Sequence, residues 1–301
     1  MDLIFDMLRF PWMQRAIIVG LLVSLCAALL GVNLVLKRYA MIGTGLSHVG
    51  FAATVIGGVL ITIDLAPLYG FLPVWAVAGL GRIFEIIYNI PLLLPLLTVV
   101  AAAFILLRLN ESSRIKGDSA VALISTGGIA VGVIVMGLTT GITLHVCNVL
   151  FGSIFAMAPG DLYLSIVLAA VVLLVFVLFY KQLFAVTYDE NFAKATGTKV
   201  EVYKSMLSLL TAITVVLGMR MMGALLIASL TLFPALSAMR LCKRFLTVVI
   251  TAAVVGVVCF FVGMVFSFAL NLPPGATVVG VNLIVFLLIS AVAAIKQGGR
   301  T

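Results

Sequence analysis

The chain has 301 residues, of which 64% are apolar and only 9% are charged. Soluble domains average roughly 45–50% apolar and about 25% charged residues, so the composition excludes an ordinary soluble domain and indicates a membrane protein with several spans. The formal net charge of +8 does not indicate a nucleic-acid surface, because the basic residues stand singly or in small groups at the ends of apolar runs.

The apolar runs predict an all-α, polytopic helical bundle. Residues 1–15 mix apolar and charged side chains and are interpreted as an interfacial lead-in, whereas the run 16–36 is too long for a signal-peptide core and predicts a retained span. We expect about nine spans, or eight if the short run that contains Pro234 only dips into the bilayer. The predicted spans are 15–36, 41–63, 90–107, 118–138, 161–180, 203–222, 224–239, 246–270 and 276–295.

The chain is interpreted as a single transmembrane domain, 1–301, with one polar segment of substantial length at 181–204. Prolines and charges interrupt 67–88, which favours an outer-surface or re-entrant element there. If the first span runs from outside to inside, fourteen of the eighteen basic residues lie in inner loops, which predicts a cytoplasmic C-terminus and a cytoplasmic 181–204. Those fourteen are Lys37, Arg38, Arg108, Arg114, Lys116, Lys181, Lys194, Lys199, Lys204, Arg240, Lys243, Arg244, Lys296 and Arg300.

The centre of 181–204 predicts a short helix. Thr187 or Asp189 can cap its start by accepting hydrogen bonds from free backbone N–H groups, and Gly197 tolerates the positive φ that often ends a helix. Glu190 lies four residues before Lys194, a spacing at which opposite charges attract on one helix face.

The same short helix would carry an apolar stripe of Tyr188, Phe192 and Ala195. A helix of about two turns is marginal in water, so it needs a surface to lie on. Two interpretations remain open: a solvated loop with one helical turn, or a contact through which another protein drives the membrane helices.

His48 is the leading polar candidate at membrane depth, where polar groups are costly and often functional. Thr44 lies one helical turn before it and Ser47 is adjacent, so a hydroxyl and an imidazole can face one side of the second span. The imidazole is either a ligand for zinc or another transition metal or a histidine hydrogen-bonded between helices.

Asp118 begins the fourth predicted span, where an N-cap and a metal-ligand role are both consistent with the sequence. His145 and Cys147 have poor spacing for one helical face, so they favour a metal site weakly. The chain contains no GxxxxGK[ST] phosphate loop, HExxH or GxSxG motif, which argues against an enzyme and against ATP hydrolysis by the phosphate-loop route.

Five segments together resemble the permease subunits of metal-ion ABC importers, which carry zinc, manganese or iron. The resemblance covers nearly the whole chain and rests on a first-to-second-span signature, the entry to the fourth span, an outer loop, a cytoplasmic coupling helix and the short helix that follows. These segments are LLGVNLVLKRYAMIGTGLSHVGFA, KGDSAVALISTGG, LFGSIFAMAPGDL, YDENFAKATGTKV and MGALLIASLTLFPALSAMRL.

The resemblance implies a type II ABC importer-like permease in the cell membrane that forms a homodimer around an axial pathway. Cytoplasmic ATP-binding subunits would hydrolyse ATP, and an extracellular solute-binding protein would deliver the metal, which is cargo and not a tightly bound cofactor. His48 and Asp118 would bind the ion, beside Thr44 and Ser47, although the family commonly has Asp at the position of Thr44. The ATPase-coupling residues would be Tyr188, Asp189, Glu190, Phe192, Ala193 and Gly197.

Two other functions remain open from the sequence. A permease for a metal chelate, such as a siderophore or corrinoid, shares a related architecture, and Thr44 in place of Asp leans that way. An ion-coupled secondary transporter would need several acids at mid-membrane, and few are evident. Two histidines and one acid do not define a coordination shell, so the sequence does not distinguish among zinc, manganese and iron.

Overall fold

The computed structural model describes residues 9–37, 39, 41–62, 93–112, 117–138 and 159–298. Regular structure in these ranges is helical, as the composition predicts. The predicted element at 67–88 and the pair His145 and Cys147 lie outside them. The helices of the described ranges are α1 Pro11–Leu36, α2 Ile42–Thr62, α3 Leu93–Ser112, α4 Gly117–Gly137, α5 Pro159–Leu178, α6 Tyr180–Tyr188, α7 Glu190–Ala195, α8 Val200–Met222, α9 Ala224–Leu241, α10 Phe245–Leu270 and α11 Pro274–Gly298.

The helices begin and end at residues whose backbone preferences suit a boundary. α1 begins at Pro11, whose fixed φ matches a first helical turn where no N–H partner is needed. α8 ends at Gly223 with φ 91°, and α10 ends at Asn271 with φ 52°; glycine and asparagine adopt such conformations most readily. The chain therefore turns within a few residues between α8 and α9 and between α10 and α11.

Eight helices of the described ranges are long and apolar enough to cross a membrane. The prediction of a polytopic bundle is confirmed. The run that contains Pro234 forms α9, a continuous helix of 18 residues. The predicted span 90–107 corresponds to α3, a helix of 20 residues.

α1 lies at the centre of the bundle. In the most apolar 18-residue segment of α1, 72% is buried inside the structure, whereas the corresponding share is 22% for α4 and 11% for α11. It packs against α5, α8, α9 and α10, so the two largest apolar clusters both include its side chains. α4 and α11 therefore present most of their surface away from the rest of the chain.

The sequence of α2 predicts a strip of small side chains along one face, because small residues recur every three or four positions at Gly43, Ser47, Gly50, Thr54 and Gly58. Part of this strip brings α2 close to α8 and α9. A Cβ added at Gly43 would lie 2.8 Å from Thr231 Oγ1, and one at Gly50 would lie 2.9 Å from the terminal carbon of Met219. The pattern is wrong for Gly58, which has open space around it. Of these three glycines, Gly43 and Gly50 therefore mark the close approach to neighbouring helices.

Gly127, Gly128 and Gly132 predict similar close packing for the fourth span, and two of the three pack against α2. A Cβ at Gly128 would lie 3.0 Å from the His48 backbone, and one at Gly132 would lie 2.6 Å from the Phe51 ring. Gly127 faces open space and does not take part. Because α4 approaches α2 most closely beside His48, this contact shapes the surroundings of that side chain.

Replacing Gly31 by Ala is expected to destabilise the bundle by roughly 1–3 kcal/mol, the usual cost of overpacking. The added Cβ would lie 2.0 Å from the Thr231 carbonyl oxygen, so backbone of α1 or α9 must shift. Gly280→Ala is the control, because it adds the same methyl in open space. Thermal unfolding in detergent measures both; equal melting temperatures for the two variants would contradict this packing.

Candidate functional site

Helix α7 begins and ends as its sequence predicts. Asp189 accepts hydrogen bonds from the backbone N–H groups of Asn191 and Phe192, each at 3.0 Å. Gly197 adopts φ 81°, which lets the chain turn after the last helical residues. Thr187, the other candidate cap, lies in α6 and donates instead to Asn33 Oδ1 of α1 at 3.1 Å.

The side chains of α7 and of the end of α6 divide into a buried side and an exposed side. Ala193 is fully buried against Val186 of α6 and Val200 of α8, and this small core holds α7 to the bundle. Phe192 and Tyr188 remain 62% and 57% exposed. The predicted apolar stripe therefore faces outward, and a different residue, Ala193, makes the contact with the membrane helices.

Glu190 forms ion pairs with two distant lysines. Its Oε1 lies 3.0 Å from Lys37 Nζ, just beyond the end of α1, and its Oε2 lies 2.7 Å from Lys204 Nζ, in the first turns of α8. We call these three residues the Glu190 bridge. The expected pair of Glu190 with Lys194 is wrong, since Lys194 pairs with Glu201 at 3.3 Å. The bridge ties α7 to both spanning helices.

Burial and charge oppose each other in this bridge. Burial alone would raise the pKa of the Glu190 carboxylate, but hydrogen bonds and charge attraction from Lys204 and Lys37 hold that pKa below its ordinary value. Burial lowers the pKa of the Lys37 amine, and Glu190 partly offsets the effect. The lysine side chains are only 11% and 9% exposed, so the carboxylate offsets part of the cost of burying their charges.

A cavity of about 30 Å³ adjoins the bridge and is lined by residues that include Asn33, Lys37, Lys204 and Thr211. Nδ2 of Asn33 is buried and has no hydrogen-bond partner among the described residues. Leucine and isoleucine side chains also line the cavity, so its lining is mixed. The end of α1 is thus connected to α6 and α7 through polar contacts beside the apolar packing of Val35 and Leu36 in the cluster that includes Leu183.

His48 faces α4, where its Nδ1 lies 2.5 Å from Ser125 Oγ. Thr44 is half-buried one turn earlier on α2. Ser47 is fully buried and donates to the Gly43 carbonyl of its own helix at 2.7 Å, so it does not join this pair. The structure therefore brings together His48 and Ser125, a residue that the sequence reasoning did not single out.

Asp118 is the second residue of α4, and its backbone lies seven residues, about two turns, before Ser125 on the same face. The two helices run in the same direction, because Gly45 neighbours Val121 and, further along both, Phe51 neighbours Gly132. Their starts therefore lie at the same end of the bundle.

Among the described residues, no three histidine, cysteine, aspartate or glutamate side chains gather as a metal site. His48 lies six residues into α2, about 9 Å along the helix axis. The contact of His48 with Ser125 uses Nδ1, which leaves Nε2 as the ring nitrogen that could reach an ion. A hydroxyl on the other nitrogen fixes the ring orientation, as partners of metal-binding histidines commonly do.

The many apolar helices define a multi-pass membrane protein, with a polar pair between α2 and α4 and an exposed helix tied to the bundle. The chain belongs to the ABC 3 transport family, which it matches over residues 9–293.

Several relatives along most of the chain carry the names of transport proteins. The manganese transport system membrane protein MntC of Listeria monocytogenes is 26% identical over 292 residues, which cover 97% of this chain and 94% of that one. A protein of Haemophilus influenzae named "Probable iron transport system membrane protein" is 27% identical over 288 residues, which cover 96% of this chain and 92% of that one. The structure of PsaBC from Streptococcus pneumoniae in complex with Fab has a TM-score of 0.76 at 22% identity, with coverage of 96% and 94%, and supports the fold.

Proposed function

We propose that this chain is the permease subunit of an ATP-driven importer of divalent metal ions, with manganese as the favoured substrate. The observation that carries the proposal is the match to the ABC 3 transport family over nearly the whole chain. The relatives named for manganese and iron transport support a metal cargo. We expect the ion to be bound in transit and released, because a site that holds its ion tightly cannot conduct it.

ATP hydrolysis belongs to separate cytoplasmic subunits in this proposal, since the chain has no phosphate loop. The surface of α7 supports a docking role, because Phe192 is exposed although large and apolar. Such aromatic side chains commonly anchor protein interfaces. An extracellular solute-binding protein would deliver the ion to the opposite end of a homodimer.

The Glu190 bridge provides a route from the docking surface to the pathway. A displacement of α7 acts on the end of α1 and the start of α8 through Lys37 and Lys204. Lys37 precedes α2 by only a few residues, and α2 carries His48. ATP binding in the partner would therefore move the helix that holds the ion ligand.

The pathway would be lined by His48 and Asp118, with Thr44 beside them and Ser125 orienting the imidazole. Two copies around a two-fold axis would double the number of imidazole and carboxylate groups, which supports a homodimer because one chain supplies few ligands. Ser47 remains a candidate through its position in α2, although its hydroxyl is bonded to its own helix.

Replacing His48 by Ala is expected to reduce manganese uptake at least ten-fold, since a good transition-metal ligand is lost. The assay measures uptake of radioactive manganese, zinc and iron in a transport-deficient strain that expresses the permease with its partner subunits. Ser165→Ala is the control: its buried hydroxyl is bonded to its own helix in α5. Normal manganese uptake by His48→Ala would contradict the ligand role, and uptake of a siderophore or corrinoid without free metal would favour the chelate importer.

A further inference from the structure

Four aromatic rings meet where α6 passes the start of α10. Phe245 of α10 lies 5.6 Å from Tyr180, 5.3 Å from Phe184 and 6.3 Å from Tyr188, measured between ring centroids. Phe245 itself is buried, whereas Phe184 and Tyr188 are exposed. We call these four residues the α6–α10 aromatic cluster. Two of the four are tyrosines, which are enriched at the level of lipid headgroups.

Exposed cations flank this cluster. Lys181 directly follows Tyr180, and Lys243 with Arg244 directly precedes Phe245. None of the three forms an ion pair with a carboxylate of the described residues. The nearest acid in sequence, Asp189, caps α7 with its carboxylate. The patch therefore combines three positive charges with apolar rings.

Apolar surface continues from the patch along the bundle. Leu174 and Leu178 at the end of α5 are exposed, as are Leu246 and Ile250 at the start of α10. The opposite faces of these two helices pack into the same apolar cluster. Side chains suited to acyl chains therefore lead directly to cations suited to a phosphate.

We propose that the α6–α10 aromatic cluster and its flanking cations form a binding site for an anionic phospholipid. Lys181 and Arg244 hold the headgroup phosphate, Lys243 adds to its attraction, and the acyl chains lie along Leu178 and Leu246. Juxtamembrane lysines and arginines attract anionic lipids in this way. Charge complementarity favours a lipid over an acidic partner protein, because the cations lie at the ends of helices whose outward faces suit lipid.

The bound lipid would steady α6, which reaches α1 through Thr187 and leads into α7. An effect of the lipid on coupling to ATP hydrolysis rests on the proposed function, whereas the binding of the lipid to the permease does not. A lipid site can therefore be established or rejected on the purified permease without transport or ATPase measurements.

The test compares adducts of phosphatidylglycerol and phosphatidylcholine on the purified permease by native mass spectrometry. The double variant Lys181→Gln with Arg244→Gln removes two charges at the site. Lys199→Gln with Arg220→Gln removes the same charge from exposed positions that do not adjoin the cluster. Gel-filtration profiles confirm that both variants are folded.

The wild type and the control are expected to retain phosphatidylglycerol in preference to phosphatidylcholine, and the site variant to bind it roughly ten-fold more weakly. Equal retention of the two lipids by the wild type would overturn the proposal, as would equal losses in both variants. A site variant that keeps its lipid but no longer co-purifies the ATPase subunit would assign the surface to that protein and also overturn it. The His48→Ala uptake result is independent of all these outcomes.

Discussion

Aspartate in place of Phe192 is expected to reduce ATP-driven uptake at least ten-fold while leaving membrane insertion unchanged. Phe192 is 62% exposed, so the substitution leaves the apolar contacts of α7 with the bundle in place. A charge on a surface that must become buried against a partner carries a desolvation cost, and aromatic anchors at such interfaces often contribute 2 kcal/mol or more. Uptake into proteoliposomes and co-purification of the ATPase subunit measure the effect.

Phe192→Leu is the matched variant, because it keeps an apolar side chain at the same position. We expect it to retain most of the uptake. Wild-type uptake by Phe192→Asp, at equal protein levels, would contradict a docking role for α7. Loss of the protein from the membrane in Phe192→Asp but not in Phe192→Leu would instead make this residue structural.

Replacing Glu190 by Gln has the second large expected effect, because it leaves Lys37 and Lys204 nearly buried without this carboxylate. Removing one partner of a fully buried ion pair lowers the free energy of unfolding by roughly 3–5 kcal/mol. Because the Glu190 side chain is 36% exposed, we expect a smaller loss of about 1–2 kcal/mol. Uptake should fall more steeply than stability, since the connection from α7 to α1 and α8 is lost.

The control is Glu201→Gln. It also removes a carboxylate from an ion pair, but both members of that pair, Glu201 and Lys194, are exposed. Exposed pairs contribute little, so melting temperature and uptake should match the wild type. If Glu190→Gln behaves like Glu201→Gln in both measurements, the bridge does not connect the helices as described.

Lowering the pH tests the Glu190 bridge, because the direction of the Glu190 pKa shift fixes how its contribution to stability depends on pH. The pKa of the Glu190 carboxylate lies below its ordinary value of 4.5, so its stabilising contribution is complete above that value and is lost as pH falls through the lower folded-state pKa. The difference in stability between wild type and Glu190→Gln should therefore persist at about pH 6–7 and shrink in strong acid. A difference that first appears in acid would contradict the assignment.

Local features of this protein follow from its sequence. Apolar runs predict the spans because each helix must satisfy its backbone hydrogen bonds internally in lipid. Asp189 and Gly197 predict the bounds of α7 because capping and a positive φ depend on neighbouring residues. α6 was missed, since Lys181 and Gln182 look like the start of a loop although Leu183 and Val186 are buried.

The long-range contacts of the site do not follow from the sequence in the same way. Lys37 and Glu190 are 153 residues apart, and nothing in the local pattern of either residue selects the other. Ser125 lies two turns after Asp118, a spacing that could have marked it, but only the packing of α4 on α2 brings its hydroxyl to His48. Helix packing, and not helix formation, decides these contacts.

Coupling to ATP hydrolysis requires that α7 face the cytoplasm, where ATP-binding subunits can reach it. The direct measurement is labelling of Phe192→Cys with a membrane-impermeant maleimide in right-side-out and inside-out vesicles, in a background with Cys147 and Cys242 replaced by serine. We predict rapid labelling in inside-out vesicles and none in right-side-out vesicles. Labelling confined to right-side-out vesicles would contradict the proposed coupling.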